Sequence, residues 1–205
     1  MIRVGLTGGI AAGKSTVAAR LGELGALHID YDALARAVVA PGGTALHAIE
    51  REFGPHALKP DGTLDREWVA GHVFGAAAAP GARDRLDAIE HPLIYAAAAH
   101  VEREHPEARV IVHDVPLLAE VIGTMPFRFD HIVTVEAPAQ MRIARMTATR
   151  GMTREQAEAR IRSQSTRAER EAIADTVVDS TVPLEQMFEQ VDRLYARWIE
   201  AAKSA

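Results

Sequence analysis

Met1-Ile-Arg-Val-Gly-Leu-Thr-Gly-Gly-Ile-Ala-Ala-Gly-Lys-Ser15 is the stretch from which the architecture can be read. Ile2 to Leu6 is a short apolar run of the kind that forms a strand buried in a parallel sheet. It breaks into Gly8-Gly-Ile-Ala-Ala-Gly-Lys-Ser15, which satisfies the phosphate-binding pattern GxxxxGK[ST] in full. Thr16 to Leu24 follows with Val17, Leu21 and Leu24 at helical spacing. The residue types have a direct reason. Backbone N–H groups wrap an anion only where the chain turns tightly and no side chain intrudes, which calls for glycine at Gly8 and Gly13. The helix behind aims its unsatisfied amides and positive dipole end at the same anion. Lys14 adds a full charge for the β- and γ-phosphates, and the Ser15 hydroxyl is placed for Mg²⁺. The strand before and the helix after make an ordinary glycine-rich turn the weaker reading.

Working outward, Gly25 stops the first helix, and Ala26 to Ile29 reads as a second strand running into Asp30-Tyr31-Asp32. Strand carboxyl ends face the ligand crevice of an open parallel sheet, so two carboxylates there are expected near the phosphates. The plainer alternative is that Asp32 caps a helix from Ala33 to Val39. Pro41-Gly42-Gly43 ends that helix and Thr44 to Phe53 forms another. Residues 54–106 look helical and alanine-rich, with clusters at Ala76–Ala79 and Ala96–Ala99 and no strand signal. His91, before Pro92, reads either as a core histidine or as a functional group.

Val110 to Val112 is a β-branched third strand ending in His113-Asp114. An acid at such a strand end is what a nucleotide site uses to hold Mg²⁺, directly or through water; a surface strand-end aspartate is the alternative. Ile132 to Val135 is a fourth strand, followed by a helix over Ala139–Thr149 that carries Arg142 and Arg145. Thr153-Arg-Glu-Gln156 is a capping box that opens a helix to about Gln164. Arg145, Arg150, Arg154, Arg160, Arg162, Arg167 and Arg170 crowd this region. They are either solvated helix faces with i,i+4 partners or a mobile lid that brings guanidinium groups onto phosphoryl oxygens. Asp175 to Asp179 is the last strand, and Leu184 to Ala201 a closing amphipathic helix.

Composition excludes several classes. With 205 residues, 48% hydrophobic and 25% charged, the chain is sized for one globular domain, or one core with an insertion. Without cysteine there is no disulfide framework and no thiolate metal site, and the nine histidines form no metal-ligand spacing. A net charge of −5 argues against non-specific nucleic-acid binding. No apolar run reaches membrane-span length and no apolar leader precedes the first strand, so a cytoplasmic protein is expected.

Beyond the loop, further pieces carry a resemblance across nearly the whole chain. They are Ile29-Asp-Tyr-Asp-Ala-Leu-Ala-Arg36, Asp61-Gly-Thr-Leu-Asp-Arg66, His91-Pro-Leu-Ile94, Asp114-Val-Pro-Leu-Leu118 with Glu120, Gly151-Met-Thr153, Gln164 and Ala174-Asp-Thr-Val-Val-Asp179. In these the chain resembles the dephospho-CoA kinases, which phosphorylate the ribose 3′-hydroxyl of dephospho-CoA with ATP, the last step of coenzyme A biosynthesis. The resemblance implies an α/β fold: a three-layer P-loop NTPase core with a parallel sheet of about five strands, a helical substrate-binding insertion and a lid. The core is expected at 1–54 and 107–205, the CoA-binding insertion at about 55–106 and the lid at about 145–165.

It also implies roles. Asp32, Lys14 and Arg145 are the expected catalytic residues, with Asp30 the alternative to Asp32 as the base. Gly9, Ile10, Ala11, Ala12, Gly13, Lys14, Ser15 and Thr16 bind ATP. Thr7, Asp30, Asp32, Arg36, His91, Pro116 and Leu117 meet the substrate, and Ser15 and Asp114 meet Mg²⁺. The expected partner is dephospho-CoA alone, with no nucleic acid or membrane and the chain a monomer or weak homo-oligomer. Three positions depart from the family pattern: Ala11-Ala12 replaces Gly-Ser, Arg150 is shifted by one toward Gly151, and Asp179-Ser180 replaces Asp-Asn. The competing readings are another P-loop kinase, acting on a nucleoside monophosphate or a sugar, and a non-catalytic nucleotide switch.

Overall fold

Five parallel strands organise the chain: β1 (Ile2–Gly8), β2 (Leu27–Asp30), β3 (Val110–Asp114), β4 (His131–Glu136) and β5 (Thr176–Asp179). The computed structural model describes residues 1–74 and 78–204. Strand order is β2-β3-β1-β4-β5. The chain leaves central β1, returns on one side through β2 and β3, and then crosses to β4 and β5 on the other. The loop after β1 therefore sits where the winding reverses, the place where open α/β sheets bind ligands. Val4 pairs with Val112 on one side and His131 on the other, so β1 is hydrogen-bonded along both edges.

Contacts divide the chain into two compact units, residues 1–30 with 105–205 and residues 31–104. In the first unit, one sheet face presents Val4, Leu6, Val110, Val112, Val133, Val135 and Val178. They meet Val17, Ala18 and Leu21 of α1 (Lys14–Glu23) and Met187, Val191, Leu194 and Trp198 of α10 (Leu184–Ser204). The period-2 alternation of a strand sends the intervening residues to the opposite face. There a Cβ at Gly5 would come within 2.9 Å of Leu118, which opens α6 (Leu118–Val121). The remaining helices of this unit are α7 (Ala139–Arg150), α8 (Arg154–Arg162) and α9 (Arg167–Ile173). The capping box expected at Thr153 is formed with Gln156, and Thr166 with Glu169 makes a second one.

The other unit holds α2 (Tyr31–Val38), α3 (Leu46–Phe53), a 3₁₀ turn at Pro55–Ala57, α4 (Arg66–Val73) and α5 (Ala82–Glu104). Its boundary falls at Tyr31 because α2 packs on α5, while the sequence expectation opened the insertion at 55. Leu58 and Leu64 form an isolated antiparallel bridge, a short extended element in a stretch read as wholly helical. The bridge closes around Asp61, whose carboxylate accepts from the Thr63 N–H and hydroxyl at 3.0 and 2.6 Å. Asp65 caps α4 through the Trp68 N–H at 2.9 Å. Of the alanine clusters, Ala96–Ala99 lies within α5, Ala78 and Ala79 lie outside any helix, and Ala76 and Ala77 fall outside the described residues.

α2 also corrects one reading. It begins at Tyr31, so Asp32 stands inside the first turn and not at the N-cap of a helix starting at Ala33. Its charge complements the helix dipole but is not the cap.

Candidate active site

The phosphate loop is a set of backbone conformations that most residues avoid. Gly13 has φ +105 and serves as the N-cap of α1 with no side-chain hydrogen bond to that helix. Its amide end is therefore left open to an anion. Ala11 adopts φ +59, the one non-glycine residue with positive φ among the described residues. A Cβ at Gly8 would meet the Val135 carbonyl oxygen at 2.6 Å. A Cβ at Gly9 would run into the Arg142 guanidinium. Gly8 is thus required by packing from β4 as well as by room for an anion, and a side chain at Gly9 would displace Arg142.

Lys14, the first residue of α1, directs its ammonium to Asp114 at the end of β3, and the two form an ion pair. His28 Nε2 lies 3.1 Å from the other Asp114 oxygen. Burial alone would push the Asp114 carboxyl up, but the His28 hydrogen bond and the Lys14 charge outweigh it. The group is held below the usual carboxylate range and carries its charge at neutral pH. Asp30 ends β2 in register with Asp114, which brings the two strand-end carboxylates side by side. Thr7 is fully buried and donates its hydroxyl to the Pro116 carbonyl at 3.3 Å, fixing the turn that carries Pro116 and Leu117. Ser15 is exposed on α1.

Arg145 reaches the loop from α7. Its guanidinium donates to the carbonyls of Ala11 and Ala12, each at 3.1 Å, and to the hydroxyl and carbonyl of Ser180 at 3.0 and 2.8 Å. The Ser180 hydroxyl in turn donates to the Ala12 carbonyl. Ser180 is therefore committed to the loop. Beside this brace opens a cleft of about 480 Å³, whose walls include Gly13, Ser15, Thr16, Arg145, Thr149, Arg150, Val182, Leu184 and Met187. Its walls mix polar side chains with the apolar Val182, Leu184 and Met187, a combination that suits a nucleoside.

Several residues of this site escaped the sequence reading of roles. Arg142 is nearly buried and donates to the Ile10 carbonyl at 2.8 Å; its position three before Arg145, on the same helix face, was the available signal. Burial and the neighbouring Arg170 pull its guanidinium below the ordinary value. Gln164 accepts from the Ile10 N–H at 2.8 Å. His28 lies two residues before Asp30, on the same side of the strand. Arg170, placed among solvent-facing or lid arginines, is neither. It is buried and paired with Glu136 of β4 at 2.6 and 2.8 Å, because the strand carries a carboxylate inward.

The other expected substrate residues lie on 31–104. Asp32 and Arg36 occupy exposed positions four apart on α2, hence on one helix face. His91 is half-buried on α5, 3.9 Å from Asp87 and with its ring centroid 5.7 Å from that of Tyr95. Among the described residues no cluster of three or more His, Asp or Glu residues could hold a metal ion. No helix among them is long and apolar enough to cross a membrane.

A family model for dephospho-CoA kinase matches residues 2–185. A dephospho-CoA kinase from Bifidobacterium longum (strain NCC 2705) is 70% identical over 198 residues, 97% of this chain and 97% of that protein. One from Streptomyces avermitilis is 45% identical over 202 residues, 98% and 96% of the two chains. Among solved structures, TT1252 from Thermus thermophilus aligns with TM-score 0.80 at 33% identity, covering 96% of this chain and 97% of that one. Dephospho-CoA kinase from Campylobacter jejuni, 20% identical with TM-score 0.59 and 96% of each chain covered, shares the fold.

Proposed function

Because this chain belongs to the dephospho-CoA kinase family, we propose that Gly9 to Thr16 bind Mg²⁺-ATP and that Asp32 prepares the acceptor hydroxyl. The reaction is transfer of the ATP γ-phosphoryl group to the ribose 3′-hydroxyl of dephospho-CoA, giving CoA and ADP. The observation that carries the site assignment is Lys14, at the open amide end of α1, facing the charged Asp114. A cation, a helix dipole and backbone donors converge where a polyphosphate fits.

The metal assignment rests on donor chemistry. The Ser15 hydroxyl and the ionised Asp114 carboxylate are hard oxygen donors, and Mg²⁺ takes few protein ligands beside phosphate and water. When bound, Mg²⁺ supplies charge neutralisation on the β- and γ-phosphoryl oxygens. In transfer, the 3′-oxygen forms the new bond to the γ-phosphorus while the bond to the β,γ-bridging oxygen breaks. The hydroxyl proton passes to the Asp32 carboxylate. Lys14 holds the charge that builds on the phosphates, and Arg145 keeps Ala11 and Ala12 in place. Thr7, Asp30, Arg36, His91, Pro116 and Leu117 are assigned to the acceptor, with residues 55–106 as the CoA-binding part and 145–165 as the lid. The partner is the small molecule, and the location cytoplasmic.

A coupled ADP-release assay tests the assignment. ADP release is expected to depend on dephospho-CoA, and a nucleoside monophosphate or a sugar in its place is expected to give none. Lys14→Ala is expected to lower kcat by about 10²-fold or more while the protein stays folded. Equal release without any acceptor, or normal turnover in folded Lys14→Ala, overturns it.

A further inference from the structure

The tip of the phosphate loop is held from outside by groups that the phosphate-binding pattern does not include. Ile10 has both backbone polar groups engaged: its N–H by Gln164 Oε1 at 2.8 Å and its carbonyl by Arg142 Nε at 2.8 Å. Arg142 also approaches Gln164 Oε1 at 3.5 Å, which joins the two contacts. The apolar side chains of the tip are seated as well. Ile10 and Ala11 pack with Met152 and Ile161 on the buried cluster Ile143, Met146 and Ala157 of α7 and α8. Immediately beyond lies Ala11 in the left-handed conformation, which is strained for a residue that carries a Cβ. Such a conformation persists only where its surroundings over-determine it.

We propose that Gln164 and Arg142 are positioning residues that lock Ile10, and so hold the Ala11–Gly13 turn in its phosphate-receiving form before nucleotide arrives. The inference rests on the reading of this loop as the nucleotide site. The lock explains why alanine is tolerated where flexibility would call for glycine: the methyl group of Ala11 has an apolar seat, and Ile10 is pinned at both ends of its peptide geometry. It also links the loop to Gln164, two residues beyond the end of α8, so the seat of α8 and the shape of the loop are one arrangement. Pre-organisation of this kind acts on nucleotide affinity, because an unlocked loop must be ordered at the moment of binding.

The test compares Gln164→Leu with Gln164→Glu. The leucine removes the acceptor for the Ile10 N–H; the glutamate keeps an acceptor oxygen and gains charge toward Arg142. ADP affinity by calorimetry is expected to fall about fivefold in Gln164→Leu, the worth of one hydrogen bond, and to return in Gln164→Glu. KM for ATP is expected to follow the same order, with KM for dephospho-CoA little changed. Hydrogen exchange at the Ile10 amide supplies a reading independent of activity: slow in the unaltered protein and in Gln164→Glu, fast in Gln164→Leu. Wild-type ADP affinity in Gln164→Leu overturns the lock while leaving the nucleotide site intact. Unprotected Ile10 in the unaltered protein, or Gln164→Glu as impaired as Gln164→Leu, overturns it too. Should the unaltered protein bind no ADP, the site reading fails and the lock falls with it.

Discussion

Asp30 and Asp32 illustrate how a two-residue spacing across an element boundary separates two carboxylates of the same kind. Asp30 closes β2 beside Asp114, while Asp32 lies in the first turn of α2. A ribose hydroxyl is a poor nucleophile until an acceptor takes its hydrogen bond and aims a lone pair at phosphorus. Asp32→Asn keeps the shape and removes the charge. If Asp32 only complements the helix dipole, the cost is about 0.3–1 kcal/mol of stability with turnover retained. Action on the hydroxyl predicts a kcat lower by about 10²-fold or more with ATP binding little changed. Steady-state kinetics of Asp32→Asn and Asp30→Asn, side by side, make the check. The expected outcome is collapse in the first; collapse only in the second reverses the assignment. The carboxylates were legible in sequence because a strand end and two acids are local features. The commitment of Ser180 and Arg142 to loop carbonyls was not, because their partners lie far away along the chain.

At the level of elements, α7 and α8 have a buried seam and a polar exterior. α8 buries only Ala157, while Arg154, Arg160 and Arg162 are exposed. Such an element opens locally at lower free energy than the core strands, while its closed form, the dominant one, keeps Gln164 on Ile10. Amide exchange over residues 145–165 is therefore expected to slow when ATP and dephospho-CoA are bound together, as closure over the reacting groups requires. Mass-spectrometric exchange with and without both ligands measures this, and equal rates would remove the lid. Within the same helix, Arg145→Ala is expected to reduce turnover more than Arg150→Ala. Arg145 bonds to Ala11, Ala12 and Ser180, whereas Arg150 is an exposed wall of the cleft. The capping box at Thr153 was legible because it is a four-residue signal. The seating of α8 through Ile161 on the cluster that also holds Ile10 was not.

For the molecule as a whole, the buried Glu136–Arg170 pair ties α9 to β4, and Thr134 donates a further bond to the same carboxylate at 2.8 Å. Arg170→Met leaves a charge buried without its partner and is expected to cost about 3–5 kcal/mol of unfolding free energy. Pairing it with Glu136→Leu should return most of that loss, read by denaturant unfolding; an additive double mutant would show that the pair is not coupled. Sequence alone was enough for the five strands, the phosphate loop and the helices flanking it, since hydrophobic period, glycine placement and capping residues act over a few neighbours; α6 and α9 were not read from it. The family resemblance added the expected role of Asp32 as the base, whereas the strand-end position had already pointed Asp114 to Mg²⁺. Tertiary packing was needed to turn Arg170 inward to Glu136, to commit Ser180 and Arg145 to the loop carbonyls, and to hold Ala11 left-handed. Each of those depends on groups brought together from distant parts of the chain, and no local pattern encodes which arginine of seven meets a carboxylate in the interior.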